Sequence, residues 1–114
     1  MNIDAYHFGK IDINSRTYTS DVIITPERVL DSWWRREGHR LAVADVADVV
    51  AARPDVLVIG TGYLGRMSVP DETRRYLQAQ GIQVREARTR EAVQEFNRLQ
   101  KTSTRVVGAL HLTC

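Results

Sequence analysis

The sequence predicts an α/β fold: a single three-layer domain with a mixed central sheet, helices packed on it and an additional N-terminal β segment. Three observations carry this. The chain has 114 residues, enough for one ordinary core and little more, so residues 1–114 read as one domain. The run Val56-Leu57-Val58-Ile59 is apolar without alternation, the pattern of a strand covered on both faces. Around it, segments of strand period and helix period alternate, and that order requires helices on a mixed or mostly parallel sheet.

Each element has its own local reason. From Ala5 to Thr25, short alternating stretches punctuated by Gly9 and Asn14-Ser15 read as a β meander, which Pro26 closes. Val29 to Trp34 also suits a helical period but is read as a strand, broken by Gly38. Val46, Val49 and Val50 are spaced as one helix face within Val43–Ala52, a helix that ends at Arg53 before Pro54. Pro70 suits the first turn of a second helix, with Asp71 and Glu72 near its positive end and Gly81 as its left-handed stop. Ile82-Gln83-Val84 is the next strand. Thr89 is the expected N-cap of a helix whose Ala92, Val93, Phe96 and Leu99 form one apolar stripe. Arg105 to Leu112 is the closing strand.

Composition narrows the function. Hydrophobic residues make up 43% and charged residues 26%, values of a chain that folds on its own. Sixteen basic and fourteen acidic residues leave +2, too weak a field to hold a polyanion, so nucleic acid is not implied as a partner. Fourteen of the sixteen basic residues are Arg, which points to a GC-rich bacterial genome. No apolar run approaches the roughly 18 residues of a membrane span, and the N-terminus carries neither a secretory nor a mitochondrial leader pattern. A cytoplasmic location is expected, with no integral membrane segment. A single cysteine, Cys114, excludes an internal disulfide. The spacing of His7, His39 and His111 offers no metal motif, so neither a structural metal nor a cofactor is expected.

Gly60-Thr61-Gly62-Tyr63-Leu64-Gly65 matches the dinucleotide pattern of glycines after a buried strand. The match fails on mechanism. Such a motif opens a helix among its glycines, whereas Arg66 to Val69 delay the helix here to Pro70. A tight turn with close chain approach is the reading the residues favour. The sharper alternative is a small anion or polar-ligand pocket built from Gly60, Thr61, Gly62 and Gly65 at a strand's carboxyl end.

Further residues are recognisable as an ordered set. Gly60-Thr61-Gly62 with Gly65 and Val69-Pro70, then Thr89, Ala92-Val93, Asn97 and Leu99, then Ala109 to Cys114, resemble a family of small domains of unknown function. It includes the adipogenesis-associated domain protein and a mitochondrial respiratory complex I assembly factor. The likeness runs from Tyr6, Gly9 and Tyr18 through Trp34 and His39 to Cys114. It implies a three-layer α/β domain and, for the mitochondrial members, accessory work in building complex I in place of catalysis. Some bacterial relatives lie beside protein-export genes, which implies assembly work near membranes.

Candidate chemistry is sparse. On a strand, His111 and Cys114 would face opposite sides of the sheet, so a Cys-His nucleophile pair is disfavoured and both read as inert. Asp45, Asp48 and Asp55 form no acid/base pair and read as solvated residues. Adjacent Trp33 and Trp34 would face opposite ways, leaving one indole outward beside His39 as a candidate partner surface. The sequence therefore favours a non-enzymatic accessory or assembly-type domain acting through protein contacts. By resemblance, its partner would belong to respiratory or export machinery. The alternative is a ligand- or anion-binding domain, or minor enzyme, using the glycine loop.

Overall fold

The computed structural model describes all 114 residues. Strands β1 (Ile3–His7), β2 (Lys10–Ile13) and β3 (Arg16–Tyr18) form a small antiparallel sheet. The main sheet holds β4 (Val22–Ile24), β5 (Val29–Leu30), β6 (Val56–Gly60), β7 (Gln83–Ala87) and β8 (Val106–Leu110) in the order β5-β4-β8-β6-β7. β6 runs parallel to both β7 and β8, whereas β4 is antiparallel to β8 and to β5, which makes the sheet mixed.

Both faces of this sheet are covered, and the side chains of β6 divide between them. Val56 and Val58 join Phe96 and Leu99 of α3 (Thr89–Gln100) and the small sheet's Ile3, Ile11 and Ile13. Leu57 and Ile59 pack on the other face with Val49 of α1 (Ala47–Ala51) and Leu77 of α2 (Asp71–Ala79). This two-sided burial explains the unbroken apolar run in the sequence. Gly108 of β8 is needed where Phe96 crosses, because a Cβ there would sit 3.0 Å from the ring. No helix is long and apolar enough to cross a membrane.

Three local expectations need correction. The strand foreseen over Val29–Trp34 stops at Leu30, because Ser32 takes φ +55° and turns the chain out of the sheet. The helix foreseen over Val43–Ala52 begins as a 3-10 turn, Val43–Val46, before α1. Thr89 is the first helical residue and not a cap: Arg88 holds the cap position, and the Thr89 hydroxyl is engaged elsewhere. Asp48 and Asp55 are exposed, as their solvated reading expects, whereas Asp45 is half-buried. Asp45 accepts the Ala42 and Arg36 amides, and Asp55 accepts the Arg105 amide.

Candidate functional site: the tryptophan segment and its buried anchor

Residues 31–40 cross the molecule as an irregular segment and carry all three residues foreseen as a partner surface. Trp34 is 76% exposed, the most exposed large apolar side chain of the chain. Trp33 is half-buried and donates its indole N–H to the Asp45 carbonyl at 3.1 Å. Together with Ile23, Leu30, Ala44 and Ala47 the two indoles line a cleft of about 360 Å³. Its polar lining is Asp31, Ser32, Asp45 and Asp48 against the single cation Arg36, so the cleft is acidic. His39 does not line it. That ring is exposed and stands edge-on to His111, with centroids 5.7 Å apart.

Beneath the segment lies a charged cluster. Arg35, 7% exposed, enters the interior, where its Nη2 donates to Asp21 Oδ2 at 2.8 Å and to the Gly38 carbonyl at 2.9 Å. The Arg35 guanidinium also lies 4.6 Å from the centre of the Trp33 indole, a cation–π contact. His111 Nδ1 lies 2.8 Å from the same Asp21 oxygen. A carboxylate only accepts, so Nδ1 carries the proton in this contact. The other Asp21 oxygen accepts the Leu112 amide at 2.7 Å, and the Asp21 carbonyl accepts the Trp33 amide at 2.9 Å. Burial alone would raise the Asp21 carboxyl, but hydrogen bonds from His111, the Leu112 amide and Arg35 outweigh it and hold the group below its ordinary value.

Neighbouring backbone is equally occupied. His111 donates its amide to the Gly60 carbonyl and accepts the Thr89 hydroxyl at 2.6 Å on its own carbonyl. Tyr6 donates its hydroxyl to the Leu112 carbonyl at 2.8 Å, and burial, the largest influence, pushes that phenol up to about 12. The Asp21–His111 pair has the form of an oriented base, yet Nε2 is buried without a hydrogen-bond partner, and no hydroxyl or thiol is aligned on it. Geometrically the cluster is an anchor: it ties β4, the end of β8 and the tryptophan segment to one point.

The glycine loop is built differently from an anion cradle. The amides of Thr61, Gly62, Tyr63, Gly65, Arg66 and Met67 already donate to protein acceptors, among them the Ala87, Thr113 and Cys114 carbonyls and the Thr89 hydroxyl. The Thr61 hydroxyl donates to the Ala87 carbonyl. Gly62, at φ +108°, leaves no room for a Cβ, which would come within 2.5 Å of the Cys114 carbonyl. Gly60 and Gly65 are close approaches to Leu110 and Arg88. The loop is thus a turn against which residues 113–114 pack.

Asp21 and Arg35 went unforeseen as members of the site. They stand in different segments, ninety and seventy-six residues from His111, and no linear pattern joins them.

Solved structures share this fold over nearly the whole chain. A conserved hypothetical protein from Pyrococcus horikoshii OT3 matches with TM-score 0.84 and 26% identity over 100% of both chains. A protein from Bordetella parapertussis matches at 0.81 and 28%, over 96% of this chain and 92% of its own. A third, described as an outer membrane protein from Bartonella henselae, matches at 0.83 and 25%, over 98% and 94%. Residues 3–111 match the model of a family described as protein of unknown function (DUF498/DUF598), and the chain belongs to that family.

Proposed function

We propose that the chain is a non-catalytic accessory domain of the assembly type, which holds a partner protein at the tryptophan cleft. One observation carries this reading: Trp34 is 76% exposed and lines a cleft that it shares with Trp33, Ile23 and Leu30. An indole offers on the order of 200 Å² of largely apolar contact to a partner that covers it. Tryptophan is also the residue most often found at the energetic centre of protein interfaces. Because Asp31, Asp45 and Asp48 outnumber Arg36 around the cleft, the fitting partner segment presents an apolar side chain flanked by Lys or Arg.

The family resemblance adds a class of partner, subunits of respiratory or export machinery under assembly. Site-specific photo-crosslinking tests the reading: a benzophenone amino acid at Ala47, in the cleft, should join one reproducible protein. The same probe at Gln94 on α3 should not. Equal adducts from both positions would count against the cleft.

A further inference from the structure

We propose a second protein-binding surface, independent of the tryptophan cleft, that takes an acidic partner segment with an aromatic or aliphatic residue set among its carboxylates. It is built where the β1–β2 turn, the glycine loop and the start of α3 meet. Phe8, Tyr63 and Leu64 are 53%, 39% and 46% exposed there. They are arranged, not scattered: the Phe8 and Tyr63 rings meet edge to face with centroids 5.8 Å apart. The Arg90 guanidinium lies 5.4 Å from the Tyr63 ring and donates to its hydroxyl at 3.3 Å.

Two cations, Arg88 and Arg90, line a cleft with Tyr63. Arg88 packs beside Gly65, its Cγ 3.2 Å from where a Cβ would stand, and Arg66 follows in the same loop. Arg66, Arg88 and Arg90 are exposed and none is in an ion pair, so their guanidiniums are open to a partner's carboxylates. Glu91 is the one carboxylate in the cleft that Tyr63, Arg88 and Arg90 line. Two unpaired guanidiniums, Arg88 and Arg90, beside an exposed ring are complementary to carboxylates with an apolar neighbour. The platform is also preorganised, because the loop's amides are bound internally and Gly62 is pinned against Cys114.

The geometry favours a peptide over a nucleic acid. Single strands need successive aromatic faces on which bases stack, and the two rings here stand at 76° to one another. The cleft of about 120 Å³ admits a carboxylate but is small for a nucleobase with its sugar. Its charge is opposite to that of the tryptophan cleft, so the two surfaces select different segments.

The test is selection of random peptides of about a dozen residues on phage against the immobilised full chain, followed by binding of the synthetic winners in solution. Enriched peptides should combine several Asp or Glu with Phe, Tyr, Trp or Leu. Their Kd should rise by about tenfold or more in the Arg88→Ala/Arg90→Ala variant and in Tyr63→Ala, and stay unchanged in Trp34→Ala. Circular dichroism confirms that the variants are folded. Winners without acidic residues, or winners that bind the double-Arg variant as tightly, would overturn the proposal. So would Arg88- and Arg90-dependent retention of a labelled poly-thymidine strand at physiological salt. Sedimentation showing self-association that the double-Arg variant abolishes would assign the patch to a second copy of the chain instead.

Discussion

Asp21 and His111 lie ninety residues apart in sequence and meet with Oδ2 and Nδ1 at 2.8 Å, with Arg35 on the same carboxylate oxygen. One carboxylate thereby joins the interior of the main sheet to the segment that displays Trp34. Asp21→Asn removes the charge that compensates a buried guanidinium and should cost about 3 kcal/mol of folding stability. Urea denaturation measures it. Adding Arg35→Met should recover a large part of that loss, because the uncompensated cation is then gone.

The same carboxylate sets an acid dependence. A folded-state value below the unfolded one means that Asp21's contribution is complete above about pH 4 and is lost as pH falls through the depressed value. Glu95 is also depressed, to about 2 by Arg98 and then Arg85, but its pairs are exposed to solvent and add little. Unfolding free energy measured between pH 7 and pH 2 should therefore fall more steeply in the wild type than in Asp21→Asn. Parallel acid limbs would contradict the assignment.

The glycine loop makes a graded prediction. Gly81→Ala places a Cβ in open space at φ +81° and should cost about 1 kcal/mol, the conformational term alone. Gly62→Ala adds a clash with the Cys114 carbonyl and Thr113 carbonyl, backbone atoms that cannot swing aside, and should cost clearly more. Equal losses in thermal or urea unfolding would mean that residues 113–114 are not held against the loop.

The two tryptophans should separate in stability. Trp33→Ala removes a hydrogen bond to Asp45 and the face that Arg35 covers, and should cost about 2 kcal/mol. Trp34→Ala removes an indole largely in water and should change stability by no more than about 0.5 kcal/mol. Denaturation of the two variants side by side distinguishes them.

These contrasts also explain how far the sequence could be read. Val56–Ile59, Pro70–Gly81 and the Ala92–Leu99 stripe carry their structure in local pattern, and the structure places a strand, a helix and a helix there. Trp33 and Trp34 do divide into a half-buried and an exposed ring, but through an irregular chain path set by Ser32 and not through strand alternation. Thr89 looked like a cap because threonine before an apolar stripe usually is one. Its hydroxyl instead joins Gly62 to His111, a contact among three distant segments. Asp21, Arg35 and His111 are likewise brought together only when β4 pairs with β8, so no window of sequence contains the anchor.

We propose that this anchor presents Trp34 to a partner protein. Photo-crosslinking from position 47 in cells, with Trp34 intact or replaced by Ala, tests it most directly. One reproducible adduct is expected, falling by about tenfold in Trp34→Ala, equivalent to about 1.4 kcal/mol of binding, while the variant's unfolding curve stays that of the wild type. An adduct of undiminished yield in folded Trp34→Ala would contradict it.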